Sequence, residues 1–546
     1  MLKIGNRCFW LYFLAISAWV LLYLLANNKT DWDLWGVMSF GALLEQNPGH
    51  FPRIDPFSYT TFRKPWVYHE WGSGLIFYQL VRHWGSASLF WLKLALAEAI
   101  FLVGCHHRFK RATPAEDNGA FRPLAFAALL TVGAYLLLPM LSITIRCQLF
   151  TFLFFGLALM VLERFREQSK SGDSSREIWL LPPLMLVWVN VHGGFITGFL
   201  AIGVYWLAAL YERQAASFKT LTLLLALCGV AVLINPYGPA FFTTMAAAWT
   251  LPRTNILEWG NVLSLDVPAY GTLYSLLAVL SVLLALVRFQ RQPHRFPYAA
   301  LLLAATGVYG WMHYKLAPLF LVTLFSLGYK LLPQHTPFLP ENWKPPTFGL
   351  KLWATFGLPL LLFCFGGILS GVYLQAHPNP FQVQTQGIDA VPKHQDITHY
   401  AYPLGLTRFL MANHIRGNLW APFSWGEFLY WVLYPDCRVS IDGRYETVYP
   451  QSVDDDFQRF YYPPYDLAAA ERYPTTHIIV DTGKAELIQK LSRSGRWHEI
   501  YRDAMAILYA RQASHYPAQA YSNQSDTLDA YMGNPDRFRL SADFYR

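Results

Sequence analysis

The stretch FWLYFLAISAWVLLYLLANNKTDWDLW, residues 9–35, joins a continuous apolar run to a segment that contains two aspartates. Residues 9–26 include no charged side chain, and about 20 apolar residues in a helix cross the ~30 Å hydrocarbon layer of a membrane. Lys3 and Arg7 precede the run as in a secretory signal, but no small-x-small cleavage site follows it. We therefore predict an uncleaved membrane span that ends just before Asp31 and Asp33.

Further apolar runs decide the fold class. Hydrophobic residues make up 54% of the 546 residues and charged residues 14%, whereas an ordinary globular chain has about 25% charged residues. This composition excludes a disordered chain, a collagen-like fibre and a disulfide-stapled mini-protein, and it predicts an α-helical polytopic membrane protein of about 11 transmembrane helices. The spans after the first are predicted at 86–104, 123–139, 147–162, 178–191, 195–211, 220–235, 271–288, 297–312, 315–332 and 352–373.

The net charge of +8 is concentrated in the hydrophobic part of the chain. Residues 1–373 contain 27 Lys and Arg against 16 Asp and Glu, and residues 374–546 contain 16 against 19. With a cytoplasmic N-terminus, 18 of those 27 basic residues fall in predicted inside segments, as the positive-inside rule requires. An odd number of spans then places the tail outside an inner-membrane-type bilayer. The tail has no basic stripe with interleaved aromatic residues, so we predict no nucleic-acid partner.

Two predicted outer segments, 27–85 and 236–270, are too long to be simple connectors. Within the first, 34–45 and 70–82 have helix-like apolar spacing. We predict that both are helices lying along the membrane interface, with aromatic side chains at the level of the lipid headgroups.

The chain changes character after residue 373, where Pro, Gln and Asn become frequent. Short runs rich in β-branched and aromatic residues predict strands at 439–441, 477–480 and 506–509, between helical stretches. We therefore predict a transmembrane domain over 1–373 and a small extracytoplasmic α/β domain over 374–546, with a polar C-terminal end after residue 512.

Asp31 and Asp33 form the sharpest chemical feature, because they flank a tryptophan at a predicted membrane boundary. Two carboxylates at this spacing can bind a divalent cation such as Mg²⁺ or Mn²⁺, with Asp31 as a ligand, or one can act as a general base while the other is structural. The alternative is an interfacial turn in which an aspartate caps the following helix. The same segment continues with His69 and Glu70 among aromatic residues, a combination that suits a sugar, since carboxylates bind hydroxyls and rings stack on the sugar.

Three further polar groups lie at predicted outer ends of spans. The fork of Arg146 matches phosphate oxygens, but an arginine there can also extend along the membrane interface. His192 lies in a two-glycine break, where a ligand can approach the backbone or where the histidine can cap a helix. Lys315 begins the tenth span and either faces the same headgroup layer as Arg146 or anchors the span.

In the tail, the loop Ile441-Asp442-Gly443-Arg444 follows a predicted strand. Loops at strand ends often bind ligands, but we favour a turn that is held by a pair between Asp442 and Arg444. Nothing in the sequence resembles a P-loop, a dinucleotide-binding glycine fingerprint or a zinc-type Cys/His set.

The order of the polar motifs and their placement at outer span ends resemble a known superfamily. These motifs are D-W-D-L-W at 31–35, D-P-F-S-Y-T at 55–60, W-V-Y-H-E-W at 66–71, R-C-Q-L-F at 146–150, N-V-H-G-G at 190–194, N-P-Y-G at 235–238, W-G at 425–426 and I-D-G-R at 441–444. Together they resemble bacterial members of the GT-C superfamily, the polytopic membrane glycosyltransferases that use polyprenyl-phosphate sugars and commonly place acidic residues in the first outer loop. The resemblance covers most of residues 10–510.

This resemblance implies a membrane glycosyltransferase of a bacterial inner membrane that moves a sugar from a polyprenyl-phosphate donor to an acceptor on the outer face, with inversion. The implied catalytic residues are Asp31 and Asp33. The implied substrate-binding residues are His69, Glu70, Arg146, His192 and Lys315. The implied partners are the lipid-linked sugar, a glycan, lipid or protein acceptor, and membrane lipids. A divalent cation bound by Asp31 is the cofactor that this arrangement allows.

Two other functions fit the sequence less well. A non-catalytic GT-C-like scaffold or lipid-binding membrane protein would keep the fold and the aromatic residues without needing both acids. A transporter or flippase usually has broken helices, internal repeats and ionisable groups at the membrane midplane, whereas here the polar residues cluster at span ends. The motifs do not distinguish between sugars, lipid carriers or acceptors.

Overall fold

A computed structural model describes most of the chain, in segments. The described residues are 14, 16–18, 20–21, 30–61, 65–110, 132–133, 136–137, 145–171, 176–250, 259–264, 268–290, 294–331, 382–383, 402–512, 526–541 and 544. Three predicted spans lie outside these residues, 352–373 entirely and both 9–26 and 123–139 for the most part.

The described segments form helices and two sets of short strands. The helices are α1 Trp32–Gln46, α2 Trp71–Trp84, α3 Ala87–Lys110, α4 Gln148–Ser171, α5 Leu181–Val191, α6 Ile196–Tyr211, α7 Ala215–Leu233, α8 Pro239–Thr250, α9 Pro268–Gln290, α10 Tyr298–Met312, α11 Ala317–Leu331, α12 Leu404–Ala412, α13 Gly426–Leu433, α14 Tyr445–Val448, α15 Gln451–Tyr461, α16 Leu467–Glu471 and α17 Ala485–Arg493. The strands are β1 Gln382–Val383, β2 Gly417–Trp420, β3 Cys437–Val439, β4 His477–Asp481, β5 His498–Arg502, β6 Ala506–Ala510 and β7 Asp526–Thr527.

The chain folds into two compact units. Unit 1 consists of Met1–Asn28, Trp91–Asn235 and Pro252–Pro380, and unit 2 consists of Lys29–Phe90, Pro236–Leu251 and Phe381–Arg546. Most of the first predicted outer segment therefore folds together with the C-terminal part of the chain. The predicted domain boundary between residues 373 and 374 lies outside the described residues and stays a prediction.

Most of the described residues of unit 1 belong to apolar helices. Within the described residues, five segments are long and apolar enough to cross a membrane: Ala87–Gly104, Gln148–Lys170, Gly193–Tyr211, Ala215–Leu233 and Tyr270–Gln290. Shorter apolar segments accompany them at Glu177–Val191, Tyr298–Met312 and Tyr314–Gly328. Each of these segments lies at one of the spans predicted from the sequence.

One face of α9 indicates what surrounds unit 1. Leu276, Val279, Leu280 and Leu283 recur at helical spacing and are all exposed, Leu276 to 65%. A continuous apolar face of this kind is unfavourable in water but is the normal surface of a helix in hydrocarbon. We infer that lipid covers this face.

Several charged side chains in unit 1 are paired with polar groups. The Nη2 of Arg166 donates to Glu212 Oε1 at 2.5 Å, and its guanidinium carbon lies 4.5 Å from the centre of the Tyr298 ring. The Tyr205 hydroxyl donates to the buried carboxylate of Glu163. Because an unpaired charge is unfavourable in a low-dielectric interior, these contacts allow α4 to contain charged residues where it packs against other helices.

Unit 2 is built on a five-stranded mixed sheet with the order β3-β2-β4-β6-β5. β2 is parallel to β3 and β4, whereas β6 is antiparallel to both β4 and β5. The predicted strands at 477–480 and 506–509 are β4 and β6, and the strand predicted at 439–441 lies two residues earlier, as β3. β1 and β7 form a separate antiparallel pair.

The first outer segment adds an extended stretch to the edge of this sheet. The amide of Val439 donates to Phe57 O at 3.0 Å, and the amide of Tyr59 donates to Val439 O at 3.1 Å, so that Ser58 pairs in parallel with Val439. The hydroxyl of Thr60 also donates to the carbonyl of Ser440 at 2.6 Å. These bonds cover the edge strand β3 and hold residues that are distant in the sequence side by side.

α1 is buried within unit 2. All residues from Leu34 to Leu43 are buried, and the Trp35 ring packs against those of Tyr402, Phe428 and Trp431 with centres 5.8, 5.1 and 6.1 Å apart. A helix is present where the apolar spacing predicts one. The predicted placement of its aromatic side chains at the lipid headgroups does not hold for Trp35, because an apolar helix surface fits a protein core as well as it fits lipid. The position of α1 along the membrane interface stays a prediction.

The end of the chain also packs within unit 2. Phe538 is buried, and its ring centre lies 5.1 Å from that of Trp431. The Asn47 side chain donates to Phe538 O at 2.9 Å and accepts from the amide of Leu540 at 2.8 Å. The predicted polar end after residue 512 therefore contains a buried side chain, Phe538, which packs within unit 2.

Candidate functional site

Arg444 lies at the centre of a buried ionic cluster in unit 2. Its Nε and Nη2 donate to the two carboxylate oxygens of Asp442 at 2.8 and 2.6 Å, and its Nη1 donates to Asp55 at 2.8 Å. The Arg444 side chain is only 2% exposed. The predicted turn with an Asp442–Arg444 pair is present, and the same guanidinium also binds the motif at 55–60.

Three aromatic rings cover Arg444. Its guanidinium carbon lies 5.2 Å from the ring centre of Phe57, 4.7 Å from that of Trp66 and 4.8 Å from that of Tyr430. Cation–π attraction of this kind is strongest where water is excluded. Burial lowers the pKa of Arg444, but the negative charges of Asp442 and Asp55 outweigh this effect and keep its pKa above the usual range. The cluster therefore contains a permanent cation.

Asp55 is fixed by the turn that follows it. Its carboxylate accepts hydrogen bonds from the amides of Phe57 and Ser58 at 3.0 and 3.2 Å and from the Thr61 hydroxyl at 3.1 Å. An aspartate followed by proline is typical of such turns. The motif at 55–60 therefore does two things, since it binds Arg444 and places the Phe57 ring over it.

Glu427 lies beside this cluster, in the first turn of α13. Its carboxylate accepts a hydrogen bond from the amide of Gly36 at 2.8 Å, and the residue is 4% exposed. A Cβ on Gly36 would lie 2.4 Å from Glu427 Oε2, and a Cβ on Gly443 would lie 2.8 Å from Oε1, so both backbones approach too closely for a side chain. Burial raises the pKa of Glu427 well above its usual range, and the charges of Asp33 and Asp442 raise it further.

Asp33 is the exposed acid of this group. It lies in the first turn of α1, where the helix dipole favours a negative charge. Its Oδ1 is 3.1 Å from the position that a Cβ on Gly443 would occupy, so Asp33 and Glu427 approach the same backbone position.

Asp31 has a different environment from Asp33. It is only 1% exposed, and its carboxylate accepts a hydrogen bond from the Asp33 amide at 3.3 Å as the N-cap of α1. The structure therefore gives the two aspartates different environments: Asp31 caps a helix, and Asp33 faces solvent.

His69 and Glu70 lie together just before α2. The Nε2 of His69 is 3.7 Å from Glu70 Oε1, and both side chains are largely buried. Glu70 occupies the N-cap position of α2 without a capping bond from its side chain. The sugar-binding role of this pair stays a prediction.

The two cations predicted to bind phosphate each precede a helix of unit 1. Arg146 lies before α4, and its carbonyl accepts from the amide of Leu149 at 3.1 Å. The Nζ of Lys315 lies 4.1 Å from the centre of the Trp259 ring, directly before α11. The neighbouring His313 Nδ1 is 3.0 Å from the carbonyl of Trp259. The segment around Trp259 therefore holds Lys315 at the start of its span.

The neighbours of His192 in unit 1 fix the hydrogen-bonding role of its Nδ1. The amide of Gly194 donates to its Nδ1 at 2.9 Å, and the Thr151 hydroxyl lies 2.8 Å from the same nitrogen. The indole N–H of Trp188 donates to the Thr151 oxygen at 2.8 Å, which directs the hydroxyl proton towards His192. A nitrogen that accepts such bonds has no proton, so the ring proton lies on Nε2. The predicted capping role of His192 is present, and its ligand-binding role stays a prediction.

No group of three or more His, Cys, Asp and Glu side chains in the described segments is arranged to hold a metal ion. Asp31, the predicted ligand, directs its carboxylate to the backbone of α1. Its role as a ligand of Mg²⁺ or Mn²⁺ stays a prediction, and no step proposed below uses a metal.

Comparison with solved structures identifies the fold. The crystal structure of ArnT from Cupriavidus metallidurans bound to undecaprenyl phosphate matches this chain with a TM-score of 0.50 and 14% sequence identity, over 93% of this chain and 99% of that chain. This chain has a GT-C-like fold. An oligosaccharyltransferase from Archaeoglobus fulgidus in the apo form matches with a TM-score of 0.46 and 12% identity, over 92% of this chain and 74% of that chain. No family model matches this chain, and neither does any curated protein.

The sequence prediction did not include Glu427 among the site residues, although one local signal for it exists. Glu427 is the single charged residue of α13, whose other residues are Gly426 and the apolar or aromatic run at 428–433. A carboxylate in such a helix is expected to be buried and to need a polar partner. No local signal indicates that the partner is the amide of Gly36, which lies near the opposite end of the chain.

Proposed function

We propose that this protein is a membrane glycosyltransferase that moves a sugar from a polyprenyl-phosphate donor to an acceptor hydroxyl or amine on the outer face of a bacterial inner membrane. The observation that carries the proposal is the environment of Asp33. It is an exposed carboxylate in the first turn of a buried helix, next to the buried carboxylate of Glu427. A general base needs this combination of a fixed position and access to substrate.

In the proposed reaction, Asp33 is the general base of a single displacement at the anomeric carbon of the sugar. The acceptor oxygen or nitrogen attacks the anomeric carbon of the sugar, and its proton passes to the Asp33 carboxylate. The bond between that carbon and the phosphate oxygen breaks with its electron pair, and polyprenyl phosphate leaves. Because phosphate is a good leaving group, a strong general acid is not required, and attack from the opposite side inverts the anomeric centre.

We assign binding roles to the remaining polar residues from their charge and their hydrogen-bonding capacity. Arg146 and Lys315 are proposed to stabilise the charge of the departing phosphate, since cations placed where negative charge develops lower the barrier. His192 is proposed to donate a hydrogen bond from Nε2–H, because its Nδ1 is already an acceptor. His69 and Glu70 are proposed to orient the sugar or the acceptor.

The GT-C-like fold supports this function, and the ligand of the ArnT structure, undecaprenyl phosphate, supports a polyprenyl phosphate as the carrier class. The environment of Asp31 supports Asp33 rather than Asp31 as the base. A capping carboxylate that is almost fully buried has little access to an acceptor.

The experiment compares cells that contain and cells that lack the gene. Mass spectrometry of lipid-linked sugars and outer glycans should show an unused lipid-linked sugar and a missing sugar residue in the cells without it. Cells that produce Asp33→Asn at the normal membrane level should show the same two changes, because loss of a general base lowers turnover by ~10²–10⁴-fold.

Glu486→Gln provides a matched control, since it neutralises an exposed acid on α17 in the same unit. It should restore the outer glycan fully. If Asp33→Asn also restores the glycan, the catalytic proposal fails, and a non-catalytic scaffold or lipid-binding role becomes the better explanation.

A further inference from the structure

Two breaks between helices of unit 1 have the same local structure. In both, an apolar helix ends, a histidine with an extended backbone follows, and a 3-10 turn of three residues leads into the next helix. The histidines are His192, between α5 and α6, and His313, between α10 and α11. Their amides donate to the carbonyls of Trp188 and Tyr309, four residues earlier, at 2.9 and 3.0 Å. The backbone therefore holds both histidines in equivalent positions.

The imidazole rings of these two histidines are bonded in opposite ways. The Nδ1 of His192 accepts a hydrogen bond from the amide of Gly194 at 2.9 Å. The Nδ1 of His313 lies 3.0 Å from the carbonyl oxygen of Trp259, and because a carbonyl oxygen can only accept, this nitrogen donates. A neutral imidazole has one ring proton. The Nε2 of His192 is therefore a hydrogen-bond donor, and the Nε2 of His313 is an acceptor.

The segment that contains Trp259 fixes the orientation of the His313 ring. The amide of Tyr314 donates to Gly260 O at 2.9 Å, which joins this segment to the turn. The His313 ring contacts the rings of Trp259 and Tyr309 edge-on, with centres 5.3 and 5.6 Å away. The residue is half-buried, and in the segments that the structure describes its ring makes one hydrogen bond, through Nδ1. Its Nε2 therefore remains available to a ligand.

The nearby Lys315 shows which part of a ligand His313 can bind. Its Nζ lies 4.1 Å from the centre of the Trp259 ring, so one tryptophan places a cation and a hydrogen-bond acceptor at the same helix start. The phosphate of a polyprenyl-phosphate sugar is a diester without an O–H group, so its oxygens suit Lys315 and the Nε2–H of His192. They cannot donate to the Nε2 of His313. The hydroxyls of the sugar can, and the one on the carbon next to the anomeric carbon lies nearest to the phosphate.

We propose that His313 binds the sugar of the donor, and that its Nε2 accepts a hydrogen bond from the group on the carbon next to the anomeric carbon. The proposal rests on the proposed function, because it takes Lys315 as a ligand of the donor's phosphate. It adds a specificity rule, since the sugar must have an O–H or N–H group at that carbon. A sugar that is deoxygenated there would leave Nε2 without its donor and would bind more weakly.

Two substitutions separate the two nitrogens of His313. Asparagine has its amide near the position of Nδ1, so His313→Asn keeps a donor for Trp259 O but has no atom at the position of Nε2. Glutamine reaches the position of Nε2, where its carbonyl oxygen can accept a hydrogen bond. His294→Asn is the matched control, because it makes the same change at an exposed histidine of the same unit.

The first test measures binding of undecaprenyl phosphate, which has no sugar, to the purified full-length protein in detergent. Lys315→Ala should weaken binding by ~10-fold or more, since a hydrogen bond between charged groups is lost. His313→Asn should bind as tightly as the wild type, because the atom it loses faces the sugar. If His313→Asn weakens binding as much as Lys315→Ala, the imidazole binds phosphate and the proposal is overturned while the proposed carrier stands. If the wild type does not bind undecaprenyl phosphate, the proposed carrier fails, and this proposal fails with it.

The second test measures the kinetics of sugar transfer with the lipid-linked sugar extracted from cells that lack the gene, and with membranes of those cells as the source of acceptor. His313→Asn should raise the KM for the lipid-linked sugar by ~3- to 10-fold, the effect of one lost hydrogen bond. The kcat should change little, since this bond is present both before and during transfer. His313→Gln should recover part of the loss, and His294→Asn should match the wild type.

Two results of the kinetic test would overturn the proposal. One is an unchanged KM in His313→Asn. The other is an equal loss of kcat in His313→Asn and His313→Gln together with a lower melting temperature in both, because a residue that only supports the turn behaves in this way. If cells that lack the gene accumulate no lipid-linked sugar, the proposed function itself is refuted.

Discussion

At the scale of single residues, the position of a helix start separates two acids of one motif. In D-W-D either aspartate can act as a helix cap or a general base, and Asp31 is the predicted ligand of a metal. The structure begins α1 at Trp32, which makes Asp31 the N-cap and leaves Asp33 in the first turn. Sequence signals place a helix start only to within one or two residues, and that uncertainty is as large as the spacing between the two acids.

The capping role of Asp31 can be measured separately from catalysis. Asp31→Ala should lower the free energy of unfolding by ~0.5–2 kcal/mol, because the Asp33 amide loses its acceptor, whereas Asp31→Asn should preserve stability since asparagine caps equally well. Thermal unfolding of the two variants in detergent makes the comparison. Equal stability of both variants, together with a loss of turnover as large as that of Asp33→Asn, would instead assign Asp31 a chemical role.

At the scale of elements, Arg444 joins two loops that the sequence presents as separate motifs. It bonds the loop after β3 to the turn at 55–60, whose backbone pairs with β3. The rings of Phe57, Trp66 and Tyr430 exclude water from this junction. The D-P-F-S-Y-T and I-D-G-R motifs thus have a structural reason to occur together, independent of any substrate.

Replacement of Arg444 by an uncharged residue should strongly lower the stability of unit 2. Arg444→Met should destabilise unit 2 by ~3–5 kcal/mol, because Asp55 and Asp442 would remain buried without their partner. Arg444→Lys should recover only part of this loss, since an ammonium cannot reproduce the forked contact with Asp442. Urea unfolding followed by tryptophan fluorescence measures both variants. If Arg444→Met lowers the free energy of unfolding by less than about 1 kcal/mol, the value of a surface ion pair, Arg444 does not hold the two loops together.

Local patterns predict these elements to different degrees. α1 and α2 lie at the predicted 34–45 and 70–82 because apolar residues recur there at helical spacing. β2 was not predicted, since its four residues include Gly417 and Asn418, both disfavoured in strands. The contact between Gly36 and Glu427 spans 391 residues, and no pattern within either element encodes it.

At the scale of the whole molecule, hydropathy separates apolar helices from the rest but does not say which of the remaining segments fold together. Composition and spacing predict a membrane-spanning part with a smaller α/β domain, and the GT-C-like fold confirms that class. They do not predict that the first outer segment belongs to unit 2. The acids that flank Gly443 therefore come from two parts of the chain that the sequence assigns to different domains.

That grouping imposes a condition on topology. Segments 30–61 and 402–512 belong to one compact unit, so they must lie on the same side of the membrane. The predicted spans from 86–104 to 352–373 number ten, an even count that returns the chain to its starting side. The distribution of Lys and Arg then predicts that this side is outside.

Reporter fusions test on which side of the membrane unit 2 lies. Alkaline phosphatase fused after Val372 should be active, as expected for an outside position, and a fusion after Arg111 should be inactive. A second reporter inserted at the exposed Gly49, in the turn after α1, should agree with the Val372 fusion, because both positions lead into unit 2. If both report the cytoplasmic side, unit 2 stays one body but Asp33 faces the wrong compartment for transfer on the outer face. If the two positions disagree, the single unit that joins Asp33 to Glu427 cannot exist in the membrane.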